Sequence, residues 1–485
     1  MRRLRMSMGM AIFVMVLGVP VARPQQQSNG QVTLQATALH SPPSPAASNG
    51  NAEDPSANPQ ELAPDTRALA GVQDLSLGIP ALTHSFWQPF FNLMLTLDTN
   101  PLATNHSSGL TTWTSLFGGI DLHRMSGRSD LTLNYLAGGL TANNGNASNS
   151  LSHQLELGEK LSWRRITISF FDQLNYLPEA AFGSGLTSGP SLPNTLGLSL
   201  QPVLTPNQSI LTARGQRISN SFLAEVDRLL TPRSSVTFVG SYSLLRFVDN
   251  GFLNFGDAVF QTGYNHQLTR KDTVALLYRF TAFRYNNFDQ SIDGHVVQVS
   301  YGRRVSGRLA FQVAAGPAVG FFRTPISTST GTPGGSTTTT SSSTQAYWTL
   351  DTSMTYQRQR TQFGLAYDHS LSGGAGVLAG ATNNQVSGSI NSQLTRTLNG
   401  GFVLGYARNQ GLNVAAPSNQ SYNYWFSGMD FSHPWGRWTS LFLSYRAQFQ
   451  NSNTDFCVGT TCGKSLVRHT VSIGFGWRPR PIPIG

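Results

Sequence analysis

Apolar and polar side chains alternate along most of the chain between Phe86 and Trp477. The clearest example runs from Arg437 to Trp477, where two alternating arms flank a short polar segment. A period of two places successive side chains on opposite faces of a β-strand. Each arm has about ten residues or more, the length that a tilted strand needs to cross a bilayer. The stretch therefore predicts a hairpin whose two faces meet different media.

The same unit recurs along the chain as a strand, a short turn that is usually basic, and a second strand. The eight predicted turns are 124–128, 162–165, 231–234, 269–272, 304–308, 358–360, 396–400 and 434–437. Nine longer connections, rich in Gly, Asn and Ser, lie between the hairpins at about 99–109, 140–149, 176–216, 248–255, 286–291, 323–345, 371–384, 410–420 and 450–465. Short turns at one rim and long loops at the other are typical of outer-membrane barrels.

Eight turns and nine loops connect eighteen strands, so the predicted fold is all-β, a closed antiparallel up-and-down transmembrane β-barrel. Closure requires the last strand to pair with 86–98. Sixteen strands is the fallback, since Pro89 interrupts the first strand. A soluble β-sandwich or propeller would also alternate, but the long strands and the scarcity of charge on the apolar rows favour the membrane barrel.

The alternation also assigns the two faces of each strand. Val236, Phe238 and Tyr242 are predicted to face lipid, and Ser235 and Thr237 to face the lumen. An aromatic girdle is predicted from tyrosines at similar depth, namely Tyr135, Tyr242, Tyr278, Tyr367, Tyr406 and Tyr445. The candidate lumen charges are Glu225, Asp227, Arg279, Arg308, Asp351 and Arg446. Their mixed signs predict internal ion pairs or a weakly selective passage.

Composition narrows the class further, because only 12% of the residues are charged and 39% are hydrophobic. Soluble domains carry roughly 25% charged residues. The net charge of +10 comes from dispersed Lys and Arg, with no dense block that would indicate nucleic-acid binding. Arginines in the short turns predict a ring of positive charge that binds partners, lipid head groups or anions; the alternative is that they only snorkel to the interface.

The termini suggest the domain organisation. Arg2, Arg3 and Arg5 precede the apolar run from Met6 to Val19, which predicts a signal peptide over residues 1–22. Residues 23–83 lack periodicity and are predicted to be a disordered periplasmic tail. The barrel is then expected over 84–478, followed by a short C-terminal tail over 479–485.

The two cysteines, Cys457 and Cys462, lie in one predicted loop and are expected to form a disulfide. Zinc would need further ligands that the neighbouring sequence does not supply. No metal, cofactor-binding or catalytic residue is therefore assigned.

Two motifs could indicate nucleotide binding or hydrolysis, but each has a simpler structural interpretation. Gly374 to Ala379 satisfies a dinucleotide fingerprint as a string of letters, but no helix pattern follows, so a surface loop is expected there. Asp368, His369 and Ser370 are neighbours at a strand end, and a polar rim is the favoured interpretation over a catalytic cluster.

Two of the long connections carry expectations of their own. The loop over 176–216, with its Pro and Gly, is the favoured candidate to fold inward as a constriction. The segment 324–344 consists almost entirely of Ser, Thr and Gly and is expected to be a solvated, mobile loop.

The strand, basic turn, strand unit resembles outer-membrane barrels of the porin-like type associated with exopolysaccharide secretion. It is represented by Tyr301-Gly-Arg-Arg-Val-Ser-Gly-Arg-Leu-Ala-Phe311 and by Asn265-His-Gln-Leu-Thr-Arg-Lys-Asp-Thr-Val-Ala-Leu-Leu-Tyr278. The resemblance covers about 84–477 and departs at the end, since such barrels often finish on an aromatic residue whereas eight residues follow Trp477 here.

The leading hypothesis is a non-enzymatic channel in a Gram-negative outer membrane, passing small polar solutes by diffusion. The alternatives are a barrel for exopolysaccharide secretion, an outer-membrane hydrolase and a pore-less structural barrel. The expected partners are outer-membrane lipid and lipopolysaccharide, the barrel-assembly machinery and, for the secretion alternative, polysaccharide-export components, with no nucleic acid.

Overall fold

A computed structural model describes residues 84–101, 109–144, 149–177, 210, 216–248, 253–286, 290–329, 336–374, 377–412, 420–458 and 461–484. For 325–329, 336–339, 455–458 and 461–463 it describes the backbone alone. The predicted signal peptide and N-terminal tail, 1–83, lie outside these residues. Within the part of the chain that the structure describes, no helix has the length and apolarity to cross a membrane.

In the described part of the chain, nineteen strands follow one another. The first nine are β1 (Phe86–Asp98), β2 (Thr111–Ser126), β3 (Ser129–Ala142), β4 (Ser150–Ser162), β5 (Ile166–Leu177), β6 (Arg217–Thr231), β7 (Ser234–Phe247), β8 (Phe255–Gln267) and β9 (Asp272–Tyr285). The others are β10 (Ser291–Arg304), β11 (Leu309–Ser329), β12 (Ser336–Arg358), β13 (Thr361–Ser372), β14 (Ala381–Gln393), β15 (Asn399–Gly411), β16 (Ser421–Pro434), β17 (Thr439–Val458), β18 (Thr461–Trp477) and the short β19 (Ile482–Pro483).

The sheet closes on itself as the alternation predicted. Each strand from β1 to β17 pairs antiparallel with the next one in the chain. The last full-length strand, β18, then pairs with β1, from Trp477 opposite Phe91 to Thr470 opposite Asp98. The predicted closed 18-stranded antiparallel barrel is therefore confirmed, and the fallback of sixteen strands is wrong.

All eight predicted short turns join consecutive strands, and they lie together at one end of the barrel, which we call the turn rim. The longer connections lie at the other end, the loop rim. Two predicted loops are wrong, because strands occupy much of 323–345 and 450–465. In the first, β11 and β12 stay paired up to Ser329 opposite Ser336. In the second, β17 and β18 stay paired, with one irregularity, up to Val458 opposite Thr461.

The Ser/Thr-rich composition explains the first of these errors. Threonine is β-branched and fits a pleated strand, whereas loops are often inferred from polarity alone. Where neither face of a hairpin is apolar, the alternation that identifies a strand is missing.

The wall is not uniform, because β12 and β13 separate before they reach the loop rim. They pair over nine positions, from Arg358 opposite Thr361 to Leu350 opposite His369. Beyond that point β12 continues with β11 alone, while Ser370 to Ser372 pair only with β14. The loop-rim end of β13 is therefore not paired with β12.

The segment after Trp477, predicted as a tail, rejoins the wall at the turn rim. Ile482 and Pro483 of β19 pair with Trp87 and Phe86 of β1. The amide of Ile484 donates to the carbonyl of Ser85 at 3.1 Å. The two ends of the described chain therefore meet.

Candidate functional site

The lumen of the barrel is the candidate site, and the alternation of each strand builds its wall. In β7, Ser235, Thr237, Ser241 and Ser243 are buried on the inner side, while the exposed row includes Phe238 and Tyr242. The same holds around the sheet, because exposed outer rows carry Leu, Val, Phe and Ile while Ser, Thr, Asn and Gln fill the inner rows. This arrangement reverses that of a water-soluble protein.

Two of the predicted lumen charges belong to one hydrogen-bonded network. Arg279 on β9 donates from Nε to Oε1 of Gln261 at 3.1 Å and from Nη2 to Oε1 of Gln298 at 3.3 Å. Nε2 of Gln298 donates in turn to Asp351 at 2.8 Å and to Thr349 at 3.0 Å. Gln298 therefore links the guanidinium on β9 to the carboxylate on β12 across the inner wall.

Two other predicted charges, Arg446 and Asp227, lie in local pairs. Arg446 binds Asp430 on the next strand at 2.8 Å, and both side chains are largely buried. Asp227 accepts a short hydrogen bond from the hydroxyl of Thr237. Glu225 is buried on the same inner row of β6. Arg308 lies instead in the turn before β11, where it is exposed.

Sequence reasoning missed the most buried ion pair, between Asp98 of β1 and Arg468 of β18. Nη2 of Arg468 lies 2.6 Å from Oδ2 of Asp98, and Nε donates to the same carboxylate at 3.1 Å. The two side chains are 0% and 1% exposed. A sequence does not give the register between the first and last strands, so it could not reveal this pair.

A second missed group of charges lies near the turn rim. Arg478, just past β18, binds Asp121 of β2 at 3.2 Å and stacks over the ring of Phe90. Asn134 also donates to Asp121, and His123 contacts Asp130 at 2.6 Å. Like Asp98 and Arg468, these charges occur as close partners of opposite sign or as hydrogen-bonded groups.

The wall also carries apolar patches. One contains Phe90, Met94, Trp113, Phe117, Leu136, Leu140 and Phe442, which come from β1, β2, β3 and β17. Another lies near the loop rim and contains Leu245, Phe247, Phe255, Phe283, Tyr285, Ile292 and Phe322.

The second patch receives a loop from strands that are not its neighbours in the sheet. The connection between β13 and β14 packs on it, since the hydroxyl of Tyr285 donates to the carbonyl of Gly373 at 3.2 Å and Gln290 donates to Ala379 at 2.9 Å. Strands β13 and β9 are not neighbours in the sheet. We call the described part of this loop, residues 373–374 and 377–380, the inward loop. The expectation of a surface loop over Gly374 to Ala379 is wrong for these residues, because Leu378 is only 4% exposed.

Glycine makes this approach possible. Gly374 and Gly380 have φ of +74° and +87°, a region that other residues rarely adopt. A Cβ on Gly380 would also collide with Cδ1 of Ile292 on β10. The inward loop can therefore approach β10 this closely because Gly380 has no side chain.

Between the ends of the long loop predicted to form the constriction, the structure describes Ile210. It is 1% exposed and packs with Leu378, Ala381 and Tyr422. Tyr422 is the second residue of β16, far around the sheet from β6, which starts only seven residues after Ile210. The chain at Ile210 thus reaches across the loop rim and meets the inward loop. Residues 178–209 and 211–215 lie outside the described part.

Asp368, His369 and Ser370 do not converge. The hydroxyl of Ser370 donates to Asp368 at 2.8 Å, whereas His369 stacks on Trp348 with ring centroids 4.0 Å apart and contacts Asn384 at 2.6 Å. Alternation along β13 explains this, since it sends the imidazole to the opposite face from the other two side chains. No Ser–His contact forms there.

The outer face carries a polar ring that the sequence only partly anticipated. All six predicted tyrosines lie on outer rows, and five of them hydrogen-bond to the next strand, always to the residue two positions nearer the loop rim than the one opposite. The five pairs are Tyr135–His153, Tyr278–His295, Tyr367–Asn384, Tyr406–Asn423 and Tyr445–His469.

The remaining tyrosine, Tyr242, places its hydroxyl over Gly256 at the same diagonal position. On β5 the equivalent position holds Asp172, which accepts from Asn220 at 2.7 Å. The diagonal pairs satisfy polar atoms that would otherwise be left without partners next to an apolar surface.

The cysteine prediction concerns the tip of the β17–β18 hairpin. Cys457 and Cys462 stand directly opposite each other in the backbone register. Their side chains lie outside the described residues, so the disulfide stays a prediction. Among the described residues, no group of three or more His, Cys, Asp or Glu is placed to hold a metal ion.

Comparison with known proteins gives similar folds only. No protein-family model matches the chain, and no curated protein matches it in sequence. Solved structures that resemble it include three Pseudomonas aeruginosa proteins. The outer membrane protein OpdK has a TM-score of 0.42 at 9% identity, covering 81% of this chain and 99% of that chain. OccK2 (OpdF), solved in complex with glucuronate, has a TM-score of 0.41 at 8% identity, covering 81% and 98%. OpdQ has a TM-score of 0.41 at 11% identity, covering 82% and 100%.

These scores are too low to carry an argument, so the classification depends on the chain's own structure. Eighteen paired strands, short turns at one rim and a polar inner wall define a closed antiparallel barrel of porin-like architecture. The predicted resemblance is confirmed at that level.

Proposed function

We propose that this protein is a non-enzymatic outer-membrane channel through which small polar solutes diffuse. One observation carries the proposal: the outer rows expose large apolar side chains all around the barrel, while the inner rows bury polar ones. A surface of exposed Leu, Val, Ile and Phe on nearly every strand is unfavourable in water and favourable in hydrocarbon. A closed sheet leaves no unpaired backbone facing lipid, as a membrane demands.

The number of strands supports a passage. Eight-stranded barrels are filled by their own side chains, whereas barrels of sixteen to eighteen strands leave room for water. In this barrel the inward loop and Ile210 reduce that room at the loop rim. We therefore propose a channel with a narrow outer mouth.

The lumen charges support low selectivity for ion sign. Arg279 and Asp351 share one network, and Arg446 and Arg468 each have a carboxylate partner. Because charges of both signs lie close together, the field along the lumen is that of dipoles, which attracts neither cations nor anions strongly. The proposed solutes are accordingly small, polar and of low net charge.

Single-channel recording in planar bilayers tests the proposal. The purified, folded full-length chain is expected to give discrete conductance steps with little preference between potassium and chloride. A folded barrel that shows no conductance at any voltage would refute the channel, and strong selectivity for one sign would refute the proposed role of the paired charges.

The inward loop gives a sharper test through Gly380→Val. The new side chain collides with Ile292, so the inward loop must withdraw from the wall and the single-channel conductance is expected to rise. Gly388→Val is the matched control, since a Cβ at Gly388 meets only a carbonyl oxygen 3.8 Å away. Equal conductance in both variants would show that the inward loop does not limit flow.

A further inference from the structure

We propose that the outer surface of strands β7 to β11 binds the phosphate groups of an anionic outer-leaflet glycolipid. The site is built on Arg246, Arg284 and Arg323, which face outward near the loop rim. The inference rests on the proposed outer-membrane location, but not on the channel activity.

The three arginines form a row because of the strand register. Arg284 of β9 and Arg323 of β11 both stand opposite Ser291 of β10, one on each side. Arg246 is the residue before Phe247 at the end of β7, two residues nearer the loop rim than Leu244, whose row contains Gly256 and Arg284. Alternate strands of a sheet are about 10 Å apart, so neighbouring guanidinium groups can engage separate phosphates or share one.

All three side chains are accessible from outside. Arg246 and Arg323 are exposed, and the side chain of Arg284 is 52% exposed. Arg284 also binds Asp293 at 2.6 Å, which holds its guanidinium in the row. Within the described outward residues of these strands' loop-side halves, Asp293 is the one carboxylate, so the row keeps a net positive charge.

The surface below the row suits acyl chains. Directly toward the turn rim lie Tyr242, Ala258, Ala282, Asp293 and Phe321, and Arg284 binds the carboxylate of Asp293. The next row includes Phe260 and Phe280. Ala258 and Ala282 lie among these larger aromatic side chains, and the hydroxyl of Tyr242 covers Gly256. A row of arginines above a largely apolar, aromatic surface matches a lipid that carries phosphates above several acyl chains.

The charge pattern selects this occupant. Arginine binds phosphate through several N–H donors in one plane, and each basic side chain at a membrane surface adds to the affinity for anionic lipid. A zwitterionic phospholipid offers no net charge to the row. A phosphorylated glycolipid places two phosphates on one head group, which the spacing of the row can engage together.

Binding of fluorescent bisphosphorylated lipid A to the detergent-solubilised, folded full-length chain tests the proposal. The triple variant R246S/R284S/R323S is expected to lose affinity on the order of a hundredfold, since each arginine contributes about fivefold. The matched control is R233S/R270S/R308S, which removes the same charge from turn-rim turns adjoining the same three strands. The control is expected to bind like the unaltered chain.

Three outcomes would overturn the inference: equal loss in both triple variants, equal binding of dephosphorylated lipid A, or displacement of lipid A by inorganic phosphate at millimolar concentration. The last would identify a site for the free ion. Conductance of the same preparations separates this question from the channel proposal, since either property can fail alone. If the triple variant does not fold, R323S alone is expected to weaken binding about fivefold.

Discussion

Two junctions of the barrel wall show how differently neighbouring strands can be held. The closing junction joins β18 to β1, which are hundreds of residues apart, whereas the split junction joins β12 to β13 through a tight turn. The closing junction pairs eight positions and the split junction nine. The backbone pairing is thus similar, and the side chains make the difference.

The closing junction is fixed by specific buried groups. The carboxylate of Asp98 accepts hydrogen bonds from Nε and Nη2 of Arg468, and Thr96 and Ser472 share a hydrogen bond of 2.7 Å. Beyond the end of β1, Thr99 and Asn100 bond to the backbone of β18. A turn fixes the register of a hairpin, but strands that meet without a turn need side chains to do so.

The split junction has no such lock above its paired part. Its last register pair, Leu350 and His369, adjoins the stacking of His369 on Trp348 at the outer surface. The strands then part, and the freed end of β13 leads into the inward loop. The wall therefore has specific side-chain contacts where two strands pair without a connecting turn. It lacks such contacts where β13 leads into the inward loop.

The largest expected effect is on the closing junction. Asp98→Asn leaves the guanidinium of Arg468 buried without its carboxylate, and should lower the free energy of unfolding by about 3 kcal/mol. Urea unfolding in detergent micelles measures this. Asp430→Asn, in the less buried pair with Arg446, should cost less, and the double variant D98L/R468M should recover much of the loss. A smaller effect for Asp98→Asn than for Asp430→Asn would contradict the special role of this junction.

A smaller effect is expected when residues 478–485 are removed. The truncated chain loses the pairing of β19 with β1, the contact of Arg478 with Asp121, and the hydrogen bond from Gln88 to Pro479. Together these should lower the free energy of unfolding by about 2 kcal/mol. Arg478→Gln separates the ion pair from the strand pairing, and its cost should be a part of the total. An unchanged unfolding curve for the truncated chain would show that the segment only lies against the wall.

The smallest effect is expected at the split junction. Trp348 is 52% exposed, so Trp348→Ala loses mainly its stacking on His369, with an expected cost of about 1 kcal/mol or less. The same urea measurement applies. A loss as large as that of Asp98→Asn would mean that both junctions are locked in the same way.

Most of the fold could be predicted from the alternation of apolar and polar residues. Eighteen strands, all eight turns and the inward or outward direction of rows such as Ser235–Ser243 follow from side-chain period and turn composition. These features are local, because a strand in a membrane wall must show different residues to lipid and lumen at every step. Beyond the membrane a strand need not show different residues on its two faces. Alternation therefore does not predict the outer ends of the β11–β12 and β17–β18 hairpins.

The candidate site was harder to predict because it depends on long-range geometry. Arg279 and Asp351 were chosen separately, and only the register shows that Gln298 joins them. Asp98 had no visible partner in the sequence. The inward loop was misjudged because its glycines are as typical of a surface loop as of close packing, and the contact with Ile292 comes from a distant strand.

The meeting of Ile484 with Ser85 makes the start of the barrel arbitrary. A circular permutant that joins residue 484 to residue 85 by a short linker, and opens at the turn between β6 and β7, would trace the same cylinder. In that permutant Asp98 and Arg468 would lie on strands joined by a linker, while Asp227 and Thr237 would have to find each other from opposite ends of the polypeptide. Comparing how much each pair stabilises the permutant would show why the Asp98–Arg468 ion pair is needed. It is needed either because of its position in the barrel or because it joins strands that are distant in the chain.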